Sequence, residues 1–480
     1  MSRLRAFDPD GLIRRLPDLA SPIFWILLLC FLFIFPAITL RGAHYEEGTL
    51  ISIARGVFED GHWLTPYRYG ERFVERPALL AWVLGLVGFL TGSVPDWLAR
   101  IPIAMALIGG CGLVYCQVRK YASAGAGLFG VLCLMASPLM QQKLVTAELD
   151  FLLGTLEFAA FVVIWDAEIR GGAGFVRWTC AGLILAAAAL TKGPQQLAFF
   201  FLGLGAFYLL RSRWFDICKL ALAGLIPAAA TIGWYWSVYE TPEDLQLWLI
   251  HSRLPPPGVN SWLTGVVQMG FHSVLQFLPG ILLLPLAVRA FRQQQSARVD
   301  TIMALALYTG IGMVILVFWP GARVRYSAPA LFAIACIGGI TFEQLRSELP
   351  QLVKAAAAIA LALAVFRVAV NWIAMPMAPE PFAQTRFYGK AIAETMAVHP
   401  ATLYFTENGW DHNIFVYVPY RLRQSPIEDI VRADAPFWAM VGPDEEQKLR
   451  KARPQMKIVV HLESPQGRWR LLEVTDDRAR

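Results

Sequence analysis

Two neighbouring glutamates follow the first long apolar segment of the chain, in the run His44-Tyr45-Glu46-Glu47. The segment Glu46–Phe58 has apolar residues at helical spacing, which predicts an amphipathic helix lying at a membrane surface. Because a charged carboxylate is costly to hold so close to hydrocarbon, the pair indicates a functional site. A carboxylate there accepts a proton from an attacking hydroxyl or, with His44 nearby, binds a divalent metal ion. The plain alternative is an interfacial helix whose acids face water.

A glutamate and an arginine, Glu75 and Arg76, stand immediately before Pro77 and the apolar segment Pro77–Gly92. Proline suits the first turn of a helix, where its missing N–H would have no partner in any case. An arginine beside a helix N-terminus makes an anion-binding site, because its fork of donors adds to the backbone N–H groups. The alternative is an interfacial arginine that meets lipid headgroups.

Charged residues also flank later apolar segments. Glu148 and Asp150 stand at the start of one segment, and Asp150, one step further into the apolar run, is hard to explain as a hydrated side chain. Lys192 ends another segment, directly before the turn-forming pair Gly193-Pro194. A third cluster precedes a later segment and consists of Arg323, Arg325 and Tyr326.

The composition is that of a polytopic membrane protein. Of the 480 residues, 56% are hydrophobic and 16% are charged, and the mean hydropathy is +0.48. A soluble protein has about a quarter of its residues charged. The formal net charge of +6 is mild and gives no indication of nucleic acid binding. The seven cysteines lie in apolar segments, so neither a disulfide framework nor a zinc-type motif is predicted.

Apolar segments of roughly 20 residues predict about eleven membrane spans. They are Pro22–Leu40, Trp97–Gln117, Ala126–Met140, Leu149–Asp166, Phe175–Leu190, Gln195–Leu210, Ile217–Tyr239, Ser273–Val288, Thr301–Phe318, Ser327–Phe342 and Val353–Ala374. The basic N-terminal residues precede the first span without a small-residue cleavage site, which predicts that this span is not removed.

The segment Pro77–Gly92 has only about sixteen residues, which is short for a bilayer crossing. If it does not cross, most short basic loops fall on the same side as the basic N-terminus, as the positive-inside rule requires. We therefore predict a re-entrant or surface-lying helix, a cytoplasmic N-terminus and a C-terminal region outside the cytoplasm. All the charged clusters above then lie on one outer face, which predicts that they form one site.

The composition changes after Ala374. Residues 375–381 are proline-rich and predict a linker, and residues 382–480 predict a small α/β domain with a modest core. Its predicted strands are Thr402–Phe405, Phe415–Val418, Phe437–Val441, Lys457–His461 and Arg470–Val474, and its predicted helices are Gln384–Val398 and Asp444–Arg453. Residues 1–374 form the predicted membrane domain, with outer loops at 41–97 and 240–272.

Several motifs, taken in their order along the chain, resemble a known family. They are Glu46-Glu47, Ile53-Ala54-Arg55, Gly61-His62-Trp63-Leu64-Thr65-Pro66, Phe73-Val74-Glu75-Arg76-Pro77 and Leu190-Thr191-Lys192-Gly193-Pro194. In this order they are similar to bacterial lipid-linked-sugar glycosyltransferases of the GT-C class. The nearest members are the aminoarabinose transferases that modify lipid A and their protein-mannosyltransferase relatives. The resemblance covers the first half of the chain, to about Phe215, and is weaker at Arg323–Pro329.

The resemblance implies an all-α GT-C membrane fold of about eleven transmembrane helices with surface-lying helices and a small extracytoplasmic α/β domain. It implies that Glu46 is the base, with Glu47 beside it, and that Asp150 is the second acid. Arg76 takes the place of a lysine that contacts the donor phosphate, and it replaces a point contact with a fork. The other residues implied around that phosphate are Lys192, Arg323, Arg325 and Tyr326, and those implied in support are His44, Glu75 and Glu148.

The sequence departs from the family pattern in two further places. Glu46 stands where the family has an aspartate, so the base is longer by one methylene, and Ala78 replaces a second proline.

The activity that the resemblance implies is transfer of a sugar from a polyprenyl-phosphate carrier to a cell-envelope acceptor, which is lipid A, a glycan or a protein. Transfer would invert the anomeric centre at the periplasmic face of the bacterial inner membrane. Membrane lipids are the other expected partners, and a divalent metal ion is the one cofactor left open. A transporter or lipid flippase is an alternative, but it would hold its charges near the bilayer midplane. A surface-polysaccharide polymerase or ligase would share the outward site but use a different donor.

Overall fold

The computed structural model describes residues 8–19, 21–244, 259–285, 296–319, 322–406, 412–464 and 467–476. They fall into two compact units. The helical unit comprises Met1–Ile38, Val74–Leu79 and Arg100–Met377, and the mixed unit comprises Thr39–Phe73, Leu80–Ala99 and Ala378–Arg480. The division after Met377 falls inside the predicted linker, and most of the predicted outer loop 41–97 lies in the mixed unit. The domain boundaries drawn from the sequence stay predictions.

In chain order the α-helices are α1 (Pro9–Leu19), α2 (Pro22–Ile34), α3 (Ala37–Leu40), α4 (Glu47–Glu59), α5 (Leu79–Thr91), α6 (Asp96–Arg119), α7 (Ala124–Ala136), α8 (Pro138–Lys143), α9 (Leu149–Glu168), α10 (Phe175–Lys192), α11 (Ala198–Leu210), α12 (Trp214–Val238), α13 (Val259–Gln276), α14 (Ser296–Phe318), α15 (Ala328–Glu348), α16 (Pro350–Ala369), α17 (Glu380–Met396), α18 (Ile427–Ile430) and α19 (Pro443–Ala452). A π-helical turn, Val370–Ala374, and a short helix, Met375–Met377, follow α16. Shorter 3₁₀ segments are Gln195–Leu197, Gly280–Leu283, Val324–Ser327 and His412–Tyr417.

Within the described residues, seven helical segments are long and apolar enough to cross a membrane, and each overlaps a predicted span. They are Pro22–Leu40, Asp96–Arg119, Phe175–Lys192, Trp214–Val238, Ala297–Phe318, Val324–Glu348 and Pro350–Met377. The prediction of a largely helical, multi-pass membrane protein is therefore confirmed, while the number of eleven spans stays a prediction.

The predicted span Ala126–Met140 is not a single helix. It is divided at Ser137, whose extended backbone separates α7 from α8. Pro138 is the cause, because a proline disfavours the helical conformation in the residue before it. The Ser137 hydroxyl then caps α8 by accepting a hydrogen bond from the N–H of Met140 at 3.3 Å.

The predicted span Ser273–Val288 is also wrong as a single helix. Helix α13 ends at Gln276, and Pro279 and the 3₁₀ segment Gly280–Leu283 follow. Proline has no N–H to continue a helix, so the apolar run is interrupted here. Residues 286–288 of this prediction lie outside the described residues, as do residues 245–258 of the predicted outer loop 240–272.

Small residues allow close approach of the helices in the helical unit. A Cβ on Gly203 of α11 would lie 2.5 Å from the Cα of Tyr308 in α14, and one on Gly154 of α9 would lie 3.1 Å from the nitrogen of Pro329. Such close backbone packing is a main source of helix association in membranes. The rings of Phe161 and Tyr308 meet edge to face with their centres 5.4 Å apart. These contacts fix α9, which carries the candidate acids, against its neighbours.

The mixed unit contains a hairpin and a five-stranded sheet. The strands are β1 (Tyr67–Arg68), β2 (Glu71–Arg72), β3 (Leu403–Phe405), β4 (Leu422–Gln424), β5 (Phe437–Val441), β6 (Met456–Glu463) and β7 (Arg470–Asp476). The sheet order is β4-β3-β5-β7-β6, with β3 parallel to β4 and β5, and with β7 antiparallel to β5 and β6. Strand β5 is buried on both faces, because Trp438 belongs to one core cluster with Met396 of α17 and Phe437 belongs to a second with Leu449 of α19. A strand of this kind is a continuous apolar run, as it is in the sequence.

The predicted strand Phe415–Val418 is wrong. Most of it lies in the 3₁₀ segment His412–Tyr417, and the strand of this region is β4, which the sequence did not indicate. An apolar run of four residues has too little periodicity to separate a strand from a buried helical turn.

The 3₁₀ segment His412–Tyr417 packs between two helices, each of which contacts it at a glycine. A Cβ on Gly48 of α4 would lie 2.5 Å from the carbonyl oxygen of His412, and one on Gly389 of α17 would lie 2.3 Å from that of Ile414. Arg55 of α4 donates hydrogen bonds to three carbonyl oxygens around this segment, at 2.7 to 3.3 Å. Residues near the start of the chain and residues near its end therefore share one packed core.

The apolar helix α5 has 13 residues and a length of about 20 Å, which is less than the roughly 30 Å of membrane hydrocarbon. As predicted from Pro77–Gly92, it is too short to cross as one helix. It lies along α4, where Gly85 and Gly88 leave room for Val57 and Phe58.

Candidate functional site

A buried carboxylate at the start of α9 gathers three side chains. Both oxygens of Asp150 accept hydrogen bonds from Lys192 Nζ at 2.7 Å, and Oδ1 also accepts one from Gln196 Nε2 at 2.8 Å. The Nε atom of Arg325 lies 3.5 Å from Asp150 Oδ2. Asp150 is fully buried, and a buried charge is tolerated only when it is paired and hydrogen-bonded. The carboxylate therefore fixes the positions of Lys192, Gln196 and Arg325.

The network continues through a second acid. Arg325 Nη1 lies 3.1 Å from Glu148 Oε1, and Lys143 Nζ lies 3.2 Å from Glu148 Oε2. Burial lowers the pKa of the Lys143 ammonium, and the charge of Glu148 opposes this shift. Lys143, Lys192 and Arg325 thus form ion pairs with Glu148 and Asp150, so the charges buried here are paired with one another.

The turn after α10 decides where Lys192 points. Gly193 has φ +117° and ψ 166°, a conformation that only glycine adopts without strain. Pro194 cannot continue the helix, so the chain turns into a 3₁₀ segment. This turn brings Gln196 to the same carboxylate as Lys192.

A cavity of about 130 Å³ lies beside Lys192. Its polar lining includes Glu75, Arg76, Gln195, Gln196 and Tyr326, and its apolar lining includes Leu153, Ile315, Leu316 and Trp319. The ammonium of Lys192 lies 4.4 Å from the centre of the Tyr326 ring, within cation–π distance. A lining that combines cations with apolar side chains suits an anionic group attached to an apolar chain.

The helical unit therefore brings together seven of the candidate residues. They are Glu75, Arg76, Glu148, Asp150, Lys192, Arg325 and Tyr326. Arg323 does not join them, because its exposed side chain makes no hydrogen bond or ion pair within the described part of the chain. Its role in binding a phosphate stays a prediction.

Glu46 and Glu47 lie in the mixed unit, at the start of α4, and differ in their surroundings. Glu47 is 1% exposed, and its Oε2 accepts a hydrogen bond from the backbone N–H of His44 at 2.8 Å. Glu46 is half-buried and occupies the N-cap position of the helix. Tyr45, which lies between His44 and Glu46 in the chain, has φ +54°, which is unusual for a residue with a bulky side chain.

The side chain of Asn413 holds this turn from the 3₁₀ segment. Its Nδ2 donates to the carbonyl oxygen of Tyr45 at 3.0 Å, and its Oδ1 accepts from the N–H of Gly48 at 2.9 Å. Asn413 is 4% exposed. Because it bonds the backbone on both sides of Glu46 and Glu47, it fixes the position of both carboxylates.

Sequence reasoning did not single out Gln196, Asn413 or Glu157. Glu157 is fully buried in α9, and its Oε1 accepts a hydrogen bond from the N–H of Phe200 at 2.8 Å. This N–H belongs to the first turn of α11, where backbone donors have no partner within the helix. An acid inside an apolar segment is a signal that the sequence does contain, whereas nothing local marks Gln196 or Asn413.

Among the residues described, no group of three or more His, Cys, Asp and Glu side chains is arranged to hold a metal ion. The divalent ion that the sequence left open at Glu46 and Glu47 therefore stays a prediction.

Comparison with solved structures defines the fold class. The crystal structures of ArnT from Cupriavidus metallidurans, bound to undecaprenyl phosphate and in the apo state, superpose with TM-scores of 0.74 and 0.72 at 17% sequence identity. Each comparison covers 94% of this chain and 97% of that chain. An oligosaccharyltransferase of Archaeoglobus fulgidus gives a TM-score of 0.55 at 12% identity, over 95% of this chain and 73% of that one. The fold is that of the GT-C class, as the motifs predicted.

Sequence comparison points to particular relatives. The profile of a family described as dolichyl-phosphate-mannose-protein mannosyltransferase matches residues 75–236. The undecaprenyl phosphate-alpha-4-amino-4-deoxy-L-arabinose arabinosyl transferase of Edwardsiella ictaluri is 25% identical over 205 residues. That match covers 42% of this chain and 37% of the relative, so it spans well under half of the relative's length. The predicted resemblance to aminoarabinose transferases and protein mannosyltransferases is confirmed.

Proposed function

We propose that the protein is a membrane glycosyltransferase that transfers a sugar from a polyprenyl-phosphate carrier to an acceptor in the cell envelope. The observation that carries the proposal is the contact of Lys192 with Asp150 beside a cavity that Arg76 and apolar side chains also line. A GT-C protein of the same fold binds undecaprenyl phosphate, which supports this class of donor.

The cations act on the leaving group. When the bond between the sugar C1 and the phosphate oxygen breaks, the phosphate leaves with the bonding electron pair and gains negative charge. Cations that are already in place stabilise this charge without the cost of reorganisation. Lys192 is the first of these cations, because Asp150 holds its ammonium at the cavity, and Arg76 is the second.

The acceptor hydroxyl attacks C1 from the face opposite the phosphate, which inverts the anomeric centre, and its proton passes to a carboxylate. Glu46 and Asp150 are the two candidates for this base. We assign the base to Glu46, because protonation of Asp150 would break its ion pair with Lys192. Asp150 then acts as the positioning residue for Lys192.

We place the reaction at the periplasmic face of the bacterial inner membrane, because a polyprenyl-phosphate donor needs no nucleotide. Lipid A is the proposed acceptor, with a glycan or a protein as the other candidates. The similarity to an aminoarabinose transferase favours lipid A over the others.

The test uses the purified full-length protein in proteoliposomes with undecaprenyl-phosphate-linked aminoarabinose and lipid A. We expect release of undecaprenyl phosphate and formation of glycosylated lipid A. We expect Lys192→Met to reduce transfer by about a thousandfold, since loss of one donor to a developing charge has this size of effect. Lys451→Met changes an exposed lysine on α19 and is the control.

The same assay separates the other functions. A flippase would move the donor lipid between leaflets without breaking the sugar–phosphate bond. A polymerase or ligase would leave this donor intact and consume a different one. Full activity of Lys192→Met would overturn the proposed role of the lysine.

A further inference from the structure

A second cavity lies wholly within the mixed unit. It has a volume of about 730 Å³ and is enclosed by the C-terminal half of α4, the β1–β2 hairpin and the segment 419–425. A hydrogen bond of 3.2 Å from the N–H of Gln424 to the carbonyl oxygen of Tyr69 joins the edge strand β4 to the hairpin. The hairpin and the segment 419–425 also share one hydrophobic cluster, in which Tyr420 and Leu422 pack against the core that contains Tyr69.

Two arginines face this cavity from β4. Arg421 directly precedes the strand and Arg423 lies within it, and residues two apart in a strand project from the same face. Both are exposed, and neither side chain makes a hydrogen bond or ion pair with any residue that the structure describes. The third arginine of the lining, Arg55, is by contrast occupied by three backbone carbonyl oxygens.

Acids and stacked rings form the other walls. Glu59 and Asp60 stand at the end of α4, and Glu71 lies in the hairpin. The rings of His62 and Tyr67 are stacked, with centres 3.9 Å apart and planes 21° apart. Carboxylates accept hydrogen bonds from hydroxyl groups, and a flat ring packs against the apolar C–H face of a sugar. The two guanidinium forks match the geometry of a phosphate or carboxylate.

The length of α4 sets the size of the ligand. Its 13 residues span about 20 Å, with Glu46 before the first residue and the cavity at the other end. A molecule that reaches both places is longer than one monosaccharide. Binding energy from such a remote contact helps to offset the free-energy cost of orienting the reacting group.

We propose that this cavity binds the part of the acceptor saccharide that does not react, and that Arg421 and Arg423 bind an anionic group on it. The inference rests on the proposed function, and it names a phosphorylated oligosaccharide headgroup as the acceptor class. For lipid A, one end of the phosphorylated headgroup would react, and a phosphate at the other end would lie between the two arginines.

Direct binding tests the proposal without catalysis. The probes are bis-phosphorylated lipid A and monophosphoryl lipid A in nanodiscs with the full-length protein. We expect the double variant Arg421→Ala/Arg423→Ala to bind the bis-phosphorylated form about tenfold more weakly than the wild type does, because it loses charge-assisted hydrogen bonds. We expect it to bind the monophosphoryl form nearly as the wild type does. Arg432→Ala, at an exposed arginine of the same unit outside the cavity, is the control and should bind both probes normally.

Unchanged binding of the bis-phosphorylated form by the double variant would overturn the proposal, and so would equal weakening for both probes. If the wild type binds neither probe, this acceptor class is wrong. The variant Lys192→Met separates the two proposals, because it should lose transfer and keep acceptor binding. Full transfer by Lys192→Met would contradict the proposed function while acceptor binding still reports on the cavity.

Discussion

At the scale of single residues, the candidate acids differ in their partners. Asp150 is buried and bonded to Lys192 and Gln196, and Glu47 is buried and bonded to the backbone of its own turn. Both arrangements position other groups, and neither leaves a carboxylate exposed to a reacting hydroxyl. Glu46 is half-buried, and it is the acid that we propose as the base.

The two acids should therefore fail in different ways. We expect Glu46→Gln to lower kcat by about a hundredfold or more, with little change in the KM for the donor, because it removes proton acceptance alone. We expect Asp150→Asn to raise the donor KM as well, because Lys192 loses its charged partner. Steady-state kinetics with varied donor concentration would distinguish them. Identical effects of both variants on the donor KM would contradict this division of roles.

At the scale of elements, the turn before α4 is held by a residue that is far away in the sequence. Asn413 bonds the backbone at Tyr45 and at Gly48, and Gly48 leaves no room for a side chain against the same segment. The two hydrogen bonds help to stabilise the left-handed conformation of Tyr45.

We expect Asn413→Ala to lower kcat about ten- to a hundredfold, since a small displacement of a reacting group has effects of this size. Asn413→Asp keeps an acceptor for the N–H of Gly48 but cannot donate to Tyr45. Its kcat should therefore lie between those of the wild type and Asn413→Ala. The measurements are kcat, the donor KM and the thermal midpoint of each variant. A variant that is destabilised but keeps its kcat would show that Asn413 is only structural.

At the scale of the whole molecule, the mixed unit is assembled from distant parts of the chain. Tyr69, from the hairpin, belongs to the same core cluster as Ile392 and Phe405. Arg55 and Gly48 contact the 3₁₀ segment from α4. The C-terminal residues therefore complete their core with residues from the predicted outer loop.

The C-terminal segment should not be stable by itself. We expect a fragment of residues 378–480 to lack cooperative unfolding, because the loss of the Tyr69 ring and of the Arg55 hydrogen bonds removes several contacts worth about 1–3 kcal/mol each. Amide dispersion in NMR spectra and thermal melting would measure this. A fragment with dispersed amides and a sharp transition would contradict it.

The membrane helices, the short helix after Pro77 and strand β5 were predictable because each rests on a local property. The seven long apolar helices have the length that hydrocarbon requires, and β5 is a continuous apolar run. The breaks at Pro138 and Pro279 are local signals too, but they were outweighed by the apolar runs around them. The run Phe415–Val418 had no reliable local signal at all.

The sequence by itself determined that this is a helical membrane protein, and it indicated which charged residues are too costly to be incidental. Only the tertiary structure decided which residues are partners. Asp150 holds Lys192, and Asn413 holds the turn of Glu46. Arg421 and Arg423 face a cavity, and their side chains have no partner among the described residues. The physical reason is that apolar length and helical period are properties of neighbouring residues. The partner of a charge, by contrast, is set by which distant segments pack together.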